Sequence, residues 1–221
     1  MYLLQSPEDI VEAVSRLGFL PFFRCGIEDF SVEEHTPPEL WFGEADGPWE
    51  WKGPVARTRK CLYGKFFASK AGFISLEWFP DFANYRRDGY DFDSRYESGL
   101  ASVKDLNVYD TMIRYGDILS KKLKGLCGYS KGGEKGFDAV ITRLQMQTYA
   151  CVSDFEYMRD KTGKVYGWGV ARYASPEALF GYDFPRSAYF RDPKESKERI
   201  VSHLKKALPN AGEKQILKLI K

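Results

Sequence analysis

The pattern of hydrophobic and polar positions predicts helices at both ends of the chain. Ser6 is followed by a proline and two acidic residues, a combination that caps a helix and suits its positively polarised first turn. Apolar residues then recur on one helical face, and Gly18 ends the pattern. At the other end, residues 193–221 predict one amphipathic helix and a short final helix.

Residues 19–96 give a less regular pattern. Residues 19–60 are rich in proline, glycine and tryptophan, which favours irregular structure and short strands. The stretch from Tyr63 to Phe73 is interpreted as a helix. A further helix is predicted to open at Ser75 and to be interrupted near Pro80.

The region from residue 104 to residue 173 carries stronger signals. Its apolar spacing predicts three helices, the second of them capped by Ser120. They cover residues 104–116, 119–128 and 130–147. Two β-rich runs with a turn between them then predict a hairpin. Three helices followed by a hairpin is the order of a winged helix, whose second and third helices form the helix-turn-helix pair and whose hairpin is the wing. A small α+β core of another kind is the alternative.

The predicted fold class is therefore α+β. The chain has 221 residues, enough for one large domain or two small ones. A winged-helix domain is placed at residues 101–182. An N-terminal α+β part with helices and aromatic loops precedes it at 1–100, and a helical tail follows at 183–221.

Composition places the protein among cytoplasmic globular proteins. The hydrophobic fraction of 43% suffices for a core, and no apolar run approaches the roughly 18 residues of a membrane-spanning helix. The first residues lack the basic start and the small-residue cleavage site of a signal peptide. The four cysteines are scattered without a Cys-x-x-Cys pair, which favours reduced, buried thiols over disulfides or zinc. No cofactor is expected.

Charge is distributed unevenly along the chain. Residues 1–54 hold eleven acidic and three basic residues, a balance of −8, and the remainder carries +10. An acidic head and a basic body are compatible with a nucleic-acid partner. Such a fluctuation is also ordinary for a soluble chain.

In the segment from Leu119 to Phe180, the predicted helix-turn-helix is followed by the wing and then by a tyrosine and proline-glutamate exit at Arg172 to Glu177. This order resembles the second winged-helix unit of the AlkZ/YcaQ family of bacterial DNA glycosylases. Upstream, the aromatic segment before the basic pair Arg86 and Arg87 resembles the family's aromatic helix. The "RLG" at residues 16–18 falls where the family has the same letters.

The resemblance implies a DNA-binding scaffold and a glycosylase activity. The family's catalytic signature, Gln-x-Gln or Gln-x-Asp, follows its first "RLG". Here that place reads Pro21-Phe22-Phe23, and none of these side chains can orient a water molecule. The letters of the signature recur only at Gln145 and Gln147, in another unit, which makes these two residues the catalytic candidates.

Basic residues of the predicted helix-turn-helix and wing suit contacts with DNA phosphates. With one amide that could reach a base edge, they form the predicted DNA-binding set. The members are Lys121, Lys122, Lys135, Arg143, Gln145, Lys161 and Lys164. A solvated charged face is the alternative interpretation.

The two glutamines are predicted to differ in role. Continuing the apolar spacing of the third helix places Gln147 at the edge of the core, where its amide can satisfy the backbone at the helix end. Gln145 then points to another side, about 160° away on a helix of 3.6 residues per turn. We therefore expect a structural Gln147 and an exposed, DNA-facing Gln145.

An aromatic loop is the remaining candidate site. Trp49 and Trp51 share a side if the segment is extended, and such a pair can stack a planar ligand. Packing of the loop is the favoured interpretation. The cluster of Glu33, Glu34 and His35 fits no standard metal spacing, so no metal is expected.

The sequence thus predicts a DNA-binding protein on an AlkZ-like winged-helix scaffold, with no membrane association. A divergent DNA glycosylase acting on alkylated or crosslinked bases is one alternative. A protein–protein interaction module is the other. The oligomeric state is not indicated.

Overall fold

A computed structural model describes residues 3–42, 46–159, 161–162 and 165–221. The first part of the chain contains six helices and three strands among these residues. They are α1 (Pro7–Leu17), β1 (Phe19–Pro21), α2 (Val32–His35), α3 (Glu39–Phe42), α4 (Pro48–Arg57), β2 (Cys61–Phe67), β3 (Lys70–Ser75), α5 (Phe79–Arg87) and α6 (Phe92–Glu97).

The second part supplies the remaining elements. They are α7 (Val103–Tyr115), β4 (Asp117–Leu119), α8 (Ser120–Leu126), α9 (Phe137–Met146), β5 (Cys151–Arg159), β6 (Val165–Ala174), α10 (Pro176–Phe180), a 3-10 turn (Phe184–Arg186), α11 (Pro193–Ala207) and α12 (Glu213–Leu219). The described strands form one antiparallel sheet in the order β1-β3-β2-β5-β6-β4. The fold is therefore mixed α+β.

Helix α1 forms as its sequence predicts. The Ser6 hydroxyl accepts a hydrogen bond from the backbone N–H of Asp9 at 3.2 Å, and Gly18 ends the helix with φ 78°. The predicted helices around α7 and α9 and the predicted hairpin of β5 and β6 are likewise confirmed. Helix α8 is present, but Leu119 rather than Ser120 occupies its N-cap position.

The helix predicted for residues 63–73 is wrong, because this stretch is the hairpin of β2 and β3. Its phenylalanines Phe66, Phe67 and Phe73 are buried on both faces of the sheet, so the alternation that marks a half-exposed strand is absent. A two-residue turn, Ala68-Ser69, joins the strands, and both residues have positive φ.

Two further expectations for the first part are corrected. Residues 48–57 form helix α4 instead of irregular structure, with Pro48 in its first turn. Helix α5 begins at Phe79, after Ser75 has ended β3. Pro80 therefore belongs to the first turn of α5, where its missing N–H costs nothing, and does not interrupt a longer helix.

Pairing between β2 and β5 joins strands from two of the segments predicted as separate domains. Tyr63 lies opposite Val152 in this pairing. Successive residues of β2 point to opposite faces of the sheet. Tyr63 packs in the core on one face, and Leu62 packs in the core on the other. Helices α1, α4, α7 and α9 cover the first face, and α5, α11 and α12 cover the second. The predicted boundaries near residues 100 and 182 stay a prediction.

All four cysteines are free thiols, and Cys61, Cys127 and Cys151 are buried. None of the described helices has the length and apolar character needed to cross a membrane. Within the same residues, no three His, Cys, Asp or Glu side chains come together as metal ligands.

Candidate nucleic-acid interface

The lysines of α8 lie at the surface. Lys121 and Lys122 occupy its first turn and are exposed, and the ammonium of Lys122 lies 4.6 Å from the centre of the Tyr115 ring. Lys135 is exposed just before α9, and Lys161 is exposed at the tip of the β5–β6 hairpin. Lys164 lies outside the described residues. Phosphate contact by these lysines stays a prediction.

Arg143 is held by an ion pair. Its Nε and Nη2 atoms donate to the same carboxylate oxygen of Asp105, at 2.9 and 2.6 Å. Burial raises the pKa of Asp105, but hydrogen bonds from Arg143 and from Ser102 outweigh burial and hold that pKa below its ordinary value. Arg143 therefore ties α9 to the start of α7, and less of its charge is available to a phosphate than the sequence suggested.

The orientation predicted for Gln145 is wrong. Its side chain is buried, with 1% of the residue exposed, so it cannot face DNA. Its Oε1 accepts from the backbone N–H of Lys65 at 3.0 Å, and its Nε2 donates to the carbonyl of Ile141 at 3.1 Å. Strand β2 packs on this side of α9, a contact that the periodicity of α9 alone does not reveal.

Gln147 occupies the C-cap position of α9, as predicted for a helix that ends there. Its backbone N–H donates to the carbonyl of Arg143 at 2.9 Å, and the residue is half-buried. The expected helical end is confirmed, but Gln145 and not Gln147 is the buried amide. Since α9 extends to Met146, the two glutamine side chains lie on different sides of the chain.

Substitution of the two glutamines should separate these roles. We expect Gln145→Ala to lower the free energy of unfolding by about 1–3 kcal/mol, because the N–H of Lys65 loses its acceptor in a buried place. Gln147→Ala should cost less than about 1 kcal/mol, since only its backbone takes part in the helix end. Urea denaturation of both variants measures the difference. Equal losses would contradict the assignment.

The tryptophans of the aromatic loop lie on helix α4, so the condition of an extended segment, under which they would share a side, is not met. Trp51 is 5% exposed and belongs to the core. Trp49 packs with its ring centre 5.7 Å from that of Phe22 and 5.9 Å from that of Trp41. Both tryptophans take part in packing, in agreement with the favoured interpretation.

The position of the glycosylase signature lies in the same aromatic cluster. Pro21 ends β1, and Phe22 is fully buried against Trp41 and Tyr63, with ring centres 5.5 and 6.0 Å away. Apolar packing therefore occupies the place where the signature would supply polar side chains.

Lys52 is a buried lysine that the sequence did not indicate. It is only 6% exposed, and its ammonium lies 4.4 Å from the ring centre of Trp49 and 4.7 Å from that of Phe155. Burial lowers the pKa of Lys52 to about 8, and the nearby charge of Glu50 opposes this shift. Which face of α4 is buried depends on the elements that pack against it, and the sequence does not show those elements.

Two motifs of the resemblance meet in a buried ion pair. Arg87 is fully buried, and its Nη1 donates to Oε1 of Glu177 at 2.7 Å. Its Nε and Nη2 donate to the hydroxyl and the carbonyl of Thr148 at 3.1 and 2.7 Å. Burial by itself lowers the pKa of Arg87, but the negative charge of Glu177 outweighs burial and holds that pKa above its ordinary value. The guanidinium is therefore charged. The neighbouring Arg86 donates to the carbonyl of Met146 at 2.6 Å.

Comparison with known proteins identifies the class of the protein. The AlkZ-related family model matches residues 4–221. The chain therefore belongs to the AlkZ-related family. Neither the curated proteins nor the solved structures yield a match.

Proposed function

We propose that the protein binds double-stranded nucleic acid through a winged-helix unit formed by residues 101–182. The observation that carries the proposal is the order α7, β4, α8, α9, β5, β6. Strand β4 pairs with β6, opposing Ile118 to Tyr173, so that the short strand after the first helix joins the hairpin. This arrangement supports α9 as the recognition helix and the hairpin as the wing.

The charges around α9 support the same proposal. Lys121 and Lys122 at the start of α8 and Lys135 before α9 are exposed, and Lys161 extends the series to the tip of the hairpin. Such lysines hold a duplex through its phosphates and read no sequence. Membership of the AlkZ-related family, which suggests a scaffold connected with DNA repair, adds to this support.

No observation favours glycosylase chemistry as a second function. Phe22 is buried at the place of the family's signature, and the oxygen and the nitrogen of the Gln145 side-chain amide are both hydrogen-bonded to backbone atoms. The remaining alternative from the sequence, an interaction module for proteins, is separated from the proposal by the binding experiment below.

Reversing the charge of both α8 lysines, Lys121→Glu with Lys122→Glu, should weaken binding to a duplex at least about tenfold at low salt. The slope of log affinity against log salt should fall by about 2, because each lost phosphate contact removes roughly one counterion. Fluorescence anisotropy with a labelled duplex of unrelated sequence, at two salt concentrations, measures both quantities.

A matched control changes the net charge equally at another surface. Lys194→Glu with Lys206→Glu alters two exposed lysines of α11 and should leave the salt slope unchanged. If the wild type does not bind a duplex at low salt, or if both double variants lose affinity equally, the proposal fails. Formation of abasic sites in alkylated DNA would instead establish the glycosylase alternative.

A further inference from the structure

Lys52 lies where helix α4 packs against strand β5. Arg57, the last residue of α4, pairs with Asp154 of β5 at 2.5 Å. The ammonium of Lys52 lies 4.7 Å from the ring centre of Phe155, the next residue of β5. The ring of Trp49, one turn earlier on α4, lies 4.4 Å from the same ammonium. The end of the lysine side chain is thus held between one ring of the helix and one ring of the strand.

No ion pair fixes Lys52 in its charged form within the part of the chain that the structure describes. Its Nζ atom has no hydrogen-bond partner among the described residues. It is also not one of the fully buried atoms there that lack a partner, so the end of the side chain touches solvent. Since the residue as a whole is only 6% exposed, Lys52 combines a buried stem with an accessible amine.

Burial acts in opposite directions on the two kinds of nucleophile in this protein. The reactive form of a cysteine is the thiolate, and burial raises the pKa of Cys61 to about 12, so this thiol stays protonated. The reactive form of a lysine is the neutral amine, which burial favours by lowering the pKa of Lys52 to about 8. At pH 7.5 roughly a quarter of Lys52 is then the amine, about two hundred times the fraction of an ordinary lysine.

A cavity of about 690 Å³ lies between α4 and the β5–β6 hairpin. Phe155 lines this cavity, together with Glu50 and Pro54 of the helix and Tyr157 of the strand. Sites that hold a small organic molecule usually have volumes of roughly 300–1,000 Å³. A molecule in this cavity would contact Phe155, the same ring that contacts the amine of Lys52.

From these observations we propose that Lys52 forms an imine with an aldehyde that binds in this cavity. The amine nitrogen attacks the carbonyl carbon and gives a carbinolamine. Loss of water then forms the C=N bond, and the two hydrogens of the amine leave with the oxygen of the aldehyde. The rings of Trp49 and Phe155 shield the imine from water on two sides, which slows its hydrolysis.

Two sources can supply the aldehyde. One is a small molecule. The other is the ring-opened sugar of a duplex that has lost a base, which presents an aldehyde on a DNA strand. Only the second source rests on the proposed function, because it requires a bound duplex. Both sources give the same bond to Lys52, so the experiment has one arm for each.

The first arm treats the full chain with benzaldehyde at pH 7.5, in the presence of cyanoborohydride, which reduces an imine to a stable secondary amine. Peptide mass spectrometry gives the rate of modification at each lysine. Lys60, exposed just after α4, is the internal control. We expect Lys52 to be modified at least about tenfold faster than Lys60, because its larger fraction of amine outweighs its smaller accessible surface.

The second arm replaces benzaldehyde by a 20-base-pair duplex with one abasic site. Denaturing electrophoresis detects the reduced crosslink, and peptide mapping locates it. An intact duplex of the same sequence is the control and should give no crosslink. Crosslinking at Lys52 supports the proposal and identifies DNA as a source of the aldehyde. Selective modification of Lys52 by benzaldehyde without a crosslink supports it with a small molecule as the source.

Variants of Lys52 and Glu50 test the reason for the reactivity. Lys52→Arg keeps a positive charge beside the rings but cannot form an imine, so it should lose the modification in this peptide. Glu50→Gln removes the negative charge that raises the pKa of Lys52. It keeps an oxygen that can accept from the backbone N–H of Gly47, as Glu50 does at 3.0 Å. Because the amine fraction rises, the rate of modification should increase about twofold. A lysine with a purely structural role would show no such increase.

The outcomes separate this proposal from the proposed function. If benzaldehyde modifies Lys52 no faster than Lys60, and no crosslink forms at Lys52, the residue serves only in packing and the proposal is overturned, while duplex binding is unaffected. Failure of the wild type to bind a duplex overturns the proposed function, whereas selective modification by benzaldehyde would still support the proposal. Both rates are measured in the wild-type chain, so the test stands even if a variant does not fold.

Discussion

Replacement of Arg87 by methionine should lower the free energy of unfolding by about 3–5 kcal/mol, the cost typical of breaking a buried ion pair. The guanidinium is fully buried and makes hydrogen bonds to Glu177 and Thr148. Its loss leaves the carboxylate of Glu177 with Arg186, 3.0 Å away, as its remaining ion-pair partner in the described chain. It also leaves the carbonyl of Thr148 without this donor.

The reason for so large an effect is the position of Arg87 between distant elements. It lies in the last turn of α5, Thr148 follows α9, and Glu177 lies in the first turn of α10. The ring of Tyr149 lies 4.7 Å from the guanidinium carbon and closes the site. One side chain therefore links α5, which covers the second core, to a residue that precedes β5 and a residue that follows β6.

Guanidinium chloride denaturation of Arg87→Met and of a double variant, Arg87→Met with Glu177→Met, checks this expectation. The double variant should recover part of the lost stability, because no unpaired charge is left buried. Arg186 keeps Asp91 as a partner at 3.0 Å in that variant. A loss below about 1 kcal/mol for the single variant would show that the ion pair contributes little.

Substitution of Trp51 by alanine should cost about 3 kcal/mol or more, as truncation of a buried aromatic side chain usually does. Trp51 is 5% exposed and, like Val55 of the same helix, belongs to the core that α4 shares with Val14 and Tyr63. Trp49→Ala is the matched control, because Trp49 is only half-buried and should give a smaller loss. Thermal and urea unfolding of both variants measure the difference.

One outcome would contradict a packing role for Trp51. If Trp51→Ala keeps the stability of the wild type but removes duplex binding, α4 carries a binding site and the tryptophan is part of it. We expect the opposite result, a loss of stability that Trp51→Phe largely restores, since phenylalanine refills most of the space.

Local signals account for the elements that the sequence predicts well. The cap at Ser6 and the stop at Gly18 define α1, and a capping box of Ser102 and Asp105 begins α7. By contrast, β2 and β3 are buried on both faces and carry glycines. Their sequence therefore lacks the alternation of apolar and polar residues that marks a half-exposed strand. Helix α4 contains Gly53 and Pro54, which conceal it, although Pro48 and Glu50 mark its start.

The candidate site depends on contacts that periodicity does not contain. The spacing of α9 defines the face that packs on α7, but the burial of Gln145 comes from β2, whose Lys65 is 80 residues away in sequence. The pairing of Arg143 with Asp105 and of Arg87 with Glu177 spans 38 and 90 residues. A single sequence gives the charges of these residues and leaves their partners open.

The pairing of β2 with β5 has a consequence for the order in which the chain can fold during synthesis. Tyr63 and Val152 pair directly, and nearly ninety residues separate them. At about 5–20 residues per second, a ribosome needs roughly 5–18 s to make that stretch. During this interval the hairpin of β2 and β3 can form, but one edge of β2 has no partner. The nascent protein therefore carries an unpaired edge of β2 until β5 has been synthesised. Correct folding requires that this edge pair with β5 soon after β5 emerges.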